Sequence, residues 1–177
     1  SKDFSQALTC IETALELDPQ AGLFHYSAAL IYEALNEPTQ AIAAYQQAVA
    51  QKFELGYQNL GLLLQKGGHS NQAEAIFKDA IKTFEVNPKH YLNLGNLYFS
   101  QQRFTDAIRI YEQGRQQQIN YSEIIYNLSC AYQYIDTATG KFYKAEYHFY
   151  RGEDQRACQL YQDCLSHAST GLTTRFI

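Results

Sequence analysis

Three asparagines, Asn59, Asn93 and Asn127, stand 34 and 34 residues apart. A side-chain amide offers both an acceptor and a donor. It is therefore a complement to the N–H and C=O of one peptide unit, whatever side chain that unit carries. Other residue types that do chemistry are not grouped in this way. The four cysteines, Cys10, Cys130, Cys158 and Cys164, fall at no metal-ligand spacing, and the five histidines are scattered, so neither a metal nor a cofactor is expected. Cys164 falls on a small-residue position and is expected to pack in the core. There is no Ser/His/Asp grouping, paired-carboxylate grouping, phosphate loop or dinucleotide fingerprint, and Gly67-Gly68 lacks the strand and Lys that a phosphate loop requires. An enzyme is not expected.

The elements that must position the asparagines are helical. In the stretch from Pro88 to Tyr121, Tyr91, Leu94, Gly95 and Tyr98 make one apolar face at i, i+3, i+4 and i+7. Phe104, Ala107, Ile108 and Tyr111 make another after the polar break Gln101-Gln102-Arg103. That is a helix, a turn and a second helix, with Gly95 and Ala107 small enough for close approach. Neither face is buried alone, so the missing burial must come from copies of the unit. Ala7, Ala41, Ala73 and Ala107 recur at 34, 32 and 34 residues, in step with Ile11, Tyr45, Phe77 and Tyr111 and with Ala14, Ala48, Ala80 and Gly114. On the first-helix side, Tyr32, Leu64, Tyr98 and Tyr132 recur at 32, 34 and 34.

This pattern resembles the tetratricopeptide repeat family, whose 34-residue unit carries an aromatic, a Leu-Gly pair, a Tyr, two Ala and a Pro at fixed offsets. Leu60-Gly61 and Leu94-Gly95 match the pair, and Leu15-Glu16-Leu17-Asp18-Pro19 matches the usual repeat ending. The resemblance covers residues 1 to 135 well and the remainder loosely. It implies an all-α, right-handed superhelix (an α-solenoid) of antiparallel helix pairs, with a concave groove that binds other polypeptides. The expected layout is a single repeat domain over 1–168 with a tail at 169–177. Within it lie a half repeat (1–21), three repeats (22–53, 54–87, 88–121) and a degenerate repeat with capping helices (122–168).

Residues 1 to 18 occupy second-helix positions, so a first-helix partner is missing from this stretch. The chain is expected to be a piece of a longer protein, consistent with its lack of Met, or to have that face covered by another molecule, a second copy included. Pro38 sits near the start of a helix, where its missing N–H costs nothing. Ser70 or Asn71 is available as an N-cap before Ala73. Beyond Tyr121, Asp136-Thr137-Ala138-Thr139-Gly140 reads as an interruption, and two registers compete. In one, Phe142, Ala145, Phe149 and Gly152 form the partner helix after a four-residue insertion. In the other, Ala145 to Arg151 is a first helix, with Ala157, Tyr161 and Cys164 in its second. Three helices near 122–135, 142–151 and 153–167, broken at Gly152, are preferred.

Family geometry places the three asparagines in the concave groove. Successive repeats would set them roughly 10 Å apart, from helix spacings of 8–10 Å, which matches about three residues of an extended strand. The arrangement is similar to the asparagine ladder of the O-linked N-acetylglucosamine transferases and of peptide-sensing bacterial regulators. The implied peptide-binding residues are Asn59, Asn93 and Asn127, flanked by Asn96, Gln58, Lys89, Leu62, Tyr126 and Tyr26. Leu30, Leu92 and Cys130 are further groove candidates. The alternative is structural, with each amide bonding a neighbouring helix or loop. The two-carboxylate clamp of co-chaperones needs several basic groove positions. Here Lys89 has Leu55 and Glu123 as its equivalents, so chaperone tails are not expected partners.

The expected function is that of an adaptor or scaffold holding an extended segment. The alternatives are a substrate-selecting region of a larger glycosyltransferase or peptidase, or a self-associating assembly module docking through residues 1 to 18. With a net charge of -4 and only 18% charged residues, the chain lacks the basic stripe that a nucleic-acid partner would need. No run of 18 apolar residues exists for a membrane span, and no basic-then-apolar leader opens the sequence. The expected location is cytoplasmic, with an already processed exported chain as the alternative.

Overall fold

The computed structural model describes residues 2–84, 86–117 and 122–173, with side chains described from 4 to 166 within those limits. The described residues form ten α-helices packed in sequential antiparallel pairs. They group into two units, Ser1–Glu85 and Val86–Ile177.

The first unit contains α1 (Lys2–Leu17), α2 (Gly22–Ala34), α3 (Pro38–Ala50), α4 (Glu54–Lys66) and α5 (Ser70–Thr83), each packed on the next. Pro38 opens α3 at the first helical position. The expected cap of α5 is displaced. Ser70 is itself the first helical residue, and His69 takes the cap position without a side-chain bond. The α2–α3 and α4–α5 corners turn through a left-handed residue, Asn36 at φ 59° and Gly68 at φ 80°. Ala41, Tyr45 and Ala48 of α3 are completely buried, whereas their register mates Ala7, Ile11 and Ala14 on α1 are only partly covered.

The second unit contains α6 (Pro88–Ser100), α7 (Phe104–Gln117), α8 (Ser122–Tyr132), α9 (Thr137–Tyr150) and α10 (Asp154–Thr173). Asn87 caps α6 by accepting from the Lys89 N–H. The α6–α7 corner again uses a left-handed residue, Gln102 at φ 60°. Gly152, at φ 72°, breaks α9 from α10 as expected.

Two glycines decide how the repeats lock. A Cβ on Gly61 would stand 2.2 Å from Cε1 of Phe77, and one on Gly95 would stand 2.2 Å from Cε1 of Tyr111. Each glycine is therefore a seat for an aromatic ring of the paired helix. Phe77, Tyr111 and Tyr45 are all buried, and burying a ring of this size contributes about 1.5–3 kcal/mol.

The degenerate repeat corrects several expectations. Asp136 does not interrupt a helix but starts one: its carboxylate accepts from the N–H groups of Ala138 and Thr139 at 3.0 and 3.4 Å and from the Thr139 hydroxyl at 2.6 Å. Helix α9 thus begins five residues before the expected 142, which removes the need for an insertion. Its buried residues are Gly140, Tyr143, Ala145 and His148, while Phe142 and Phe149 are exposed. Ala145 and His148 follow Tyr111 and Gly114 at an unbroken 34, so neither competing register holds. The aromatic key is lost here, with Ser129 at the glycine position and Ala145 at the ring position. Close approach moves to Gly140, whose added Cβ would lie 3.1 Å from the Ser129 carbonyl. Helix α10 runs on to Thr173, past Ser169 where a tail was expected; 174–177 lie outside the described residues. Cys164 is only partly buried rather than a core residue.

Candidate functional site

In the first unit, Asn59 projects from α4 toward two phenols. Its Nδ2 donates to Oη of Tyr45 at 3.1 Å and of Tyr26 at 3.3 Å. The Tyr45 hydroxyl in turn donates to Oε2 of Glu33 at 2.7 Å. Burial first, then the Glu33 carboxylate, pushes the Tyr45 phenol well above its ordinary value, so it stays a protonated donor at every working pH. The Tyr26 ring is wedged between Tyr45 and Phe53, with centroids at 5.8 and 5.2 Å. Among the described residues, Asn59 Nδ2 is taken by these two phenols and its Oδ1 has no hydrogen bond.

In the second unit the equivalent contact is made by another amide. Asn127 on α8 donates from Nδ2 to Oδ1 of Asn96 on α6 at 2.8 Å. The same oxygen accepts from the Tyr111 hydroxyl at 2.7 Å. Tyr111 is buried, which raises its phenol far above the ordinary range and keeps its proton in place. Asn96 Oδ1 is saturated by these two donors. The groups left over are Asn96 Nδ2, a donor, and Asn127 Oδ1, an acceptor, held on adjacent helices. Asn93, one turn before Asn96, has its Nδ2 buried without a hydrogen-bond partner. The position equivalent to Tyr45 and Tyr111 in the repeat register is Phe77, which has no hydroxyl.

Beside Asn127 opens a cavity of about 430 Å³ walled by Leu92, Tyr126, Tyr147 and Arg151. Tyr126 and Tyr147 lie 5.1 Å apart and tilted by 52°. Arg151 donates from Nη1 to the Tyr147 hydroxyl at 3.2 Å, and its Nε is bound to Glu153 at 2.8 Å. Helix α9 is fixed behind this wall by Arg115 of α7, whose Nη2 donates to both Glu146 oxygens at 3.0 and 3.2 Å. Tyr143 donates to Glu112 alongside. Burial raises the Glu146 carboxyl against the lowering pull of Arg115.

The tetratricopeptide repeat profile matches residues 1–53 and 59–120. The chain belongs to the tetratricopeptide repeat family. Tetratricopeptide repeats are protein- and peptide-interaction modules, and typically non-catalytic scaffolds. Among solved tetratricopeptide structures, the chain is similar to YrrB, described as having an unusual peptide-binding site. That match has 17% identity and a TM-score of 0.67, over 91% of this chain and 84% of that one. It is also similar to MamA from Desulfovibrio magneticus RS-1 (11%, 0.70, over 85% and 87%). A third is a thermophilic tetratricopeptide protein from Thermus thermophilus (20%, 0.61, over 92% and 90%). At these identities the likeness is one of fold. No curated protein matches the sequence significantly.

Set on the tetratricopeptide frame, the residues singled out from sequence sort into three groups. Asn96, Asn127 and Tyr126 come together in the second unit, and Asn59 meets Tyr26 in the first. Gln58 is half-buried on α4, and Leu62 and Lys89 are exposed on α4 and α6; none of the three enters these hydrogen-bond clusters. Sequence reasoning missed the Tyr45 and Tyr111 hydroxyls, taken there only as core rings. It also missed Tyr147 and Arg151, whose helix was placed in the wrong register. The alternation Tyr45, Phe77, Tyr111 was the available signal. Among the described residues no helix is long and apolar enough to cross a membrane.

Proposed function

We propose that this tetratricopeptide chain binds an extended peptide segment, with Asn59, Asn93 and Asn127 serving as a ladder for the peptide backbone. The observation that carries the reading is the Tyr111–Asn96–Asn127 relay. With the central oxygen taken by two donors, Asn96 Nδ2 and Asn127 Oδ1 remain, a donor and an acceptor, the two kinds of group that one peptide unit needs. Each amide-to-backbone bond contributes about 0.5–1.5 kcal/mol net, so the ladder supplies register and modest affinity. Selectivity comes from flanking side chains. The partner is a protein or peptide, not a nucleic acid.

The test is a binding screen of unstructured peptides against the wild type and the Asn59/Asn93/Asn127→Ala triple variant, with thermal melting alongside. Binding by the wild type alone, at similar melting temperatures, is the expected result. Equal binding by both would make the asparagines structural and overturn the reading.

A further inference from the structure

We infer that the cavity beside Asn127 is a specificity pocket for one aromatic side chain of the bound peptide, an inference that rests on the backbone-binding reading above. The pocket adjoins the amide pair, so a peptide unit held by Asn96 and Asn127 places a neighbouring side chain at its mouth. Its walls select the chemistry of that side chain. Tyr126 is 47% exposed and offers an open ring face, Tyr147 lies tilted against it, and Leu92 closes the apolar side. A carboxylate is not favoured, because Arg151, the one cation among the described lining residues, is already bound through Nε to Glu153, and Glu123 also lines the cavity. A cation is not favoured either, because the Arg151 guanidinium already stands in the wall, 5.4 Å from the Tyr147 ring centroid, and repels a second positive charge. What remains complementary is a neutral ring, stacking edge-to-face on the tyrosines and flat on the guanidinium. Helix α9 carries Tyr147 on a backbone fixed by the Arg115–Glu146 pair, so the wall is in place before the peptide arrives.

The test uses a blocked nine-residue Gly/Ser-based peptide whose central residue is Tyr, Phe, Leu, Lys or Glu, titrated by fluorescence anisotropy. Tyr and Phe are expected to bind about tenfold more tightly than Leu, since ring pairs are worth more than the area they bury. Tyr126→Ala should erase that preference, bringing the affinity of the Tyr and Phe peptides down to that of the Leu peptide, with the melting temperature nearly unchanged. A flat series in which every peptide binds, or a preference for Lys or Glu, overturns the pocket and leaves the backbone reading standing. If no peptide binds, N-acetyltyrosinamide followed through the Leu92 methyl resonances decides separately. Absence of a shift overturns the pocket too, and a shift lost in Tyr126→Ala retains it while the backbone reading falls.

Discussion

The two units place an asparagine at the same point of the repeat and surround it differently. In the first, Asn59 donates to two phenols and keeps its own oxygen as an acceptor. In the second, Asn127 gives one to Asn96 and the pair presents an acceptor and a donor. The same residue in the same register therefore has a different outward chemistry, and its neighbours decide which. In the second the donor and the acceptor both belong to amides, whereas in the first the remaining donor is the Tyr26 hydroxyl, which accepts from Asn59.

The comparison breaks hardest at the glycine seats. Gly61→Ala and Gly95→Ala each drive a methyl into a ring, and urea denaturation should show each losing about 1–3 kcal/mol. Gly95→Ala alone should also weaken peptide binding, since it displaces the ring whose hydroxyl orients Asn96. Equal loss of binding in both would show that the relay is not what matters. Next in size are the amides. By calorimetry, Asn127→Ala should weaken peptide binding about tenfold, whereas Asn59→Ala, which removes a single acceptor, should weaken it only a few-fold. The hydroxyls sharpen the contrast. Tyr45→Phe and Tyr111→Phe should each cost about 1 kcal/mol of stability, but only Tyr111→Phe should reduce affinity. The smallest effect belongs to the cap of α9. Asp136→Ala should cost about 1 kcal/mol in denaturation at neutral pH. The Thr139 hydroxyl first, and then backbone N–H groups, hold that carboxyl below its ordinary value of 3.8, so its contribution is present above that pH and lost as pH falls through the lower folded value. The wild-type and variant stabilities should therefore converge in strong acid.

The repeat was legible because its period is carried by residue size. Ala41, Ala73 and Ala107, with the rings that follow them, can pack only as paired helices, so the phase of the helices from α1 to α7 could be read from spacing alone. The reading slipped at α9 because Asp136-Thr137-Ala138-Thr139-Gly140 has the composition of a turn. Whether such a stretch ends one helix or caps the next depends on which N–H groups the carboxylate finds. The site was half legible for a related reason. A period locates Asn59 and Asn127 but says nothing of hydroxyl directions, and a Tyr at a core position has the same spacing whether its oxygen is idle or holds an amide. Tyr147 and Arg151 could not be placed once the phase of their helix was misjudged.

The corners of the hairpins carry a last consequence. Asn36 and Gln102 hold the left-handed conformation that Gly68 adopts freely, and a residue with a Cβ gives up about 1–2 kcal/mol to do so. The helices are close to their packing limit, but these corners are not. A lineage that changed the amides proposed to bind peptide and lost stability in the process could recover it by converting a corner to glycine, without touching those amides. The hairpin corner thus acts as a store of mutational tolerance, and it lets one scaffold be retuned to new partners while its fold is kept.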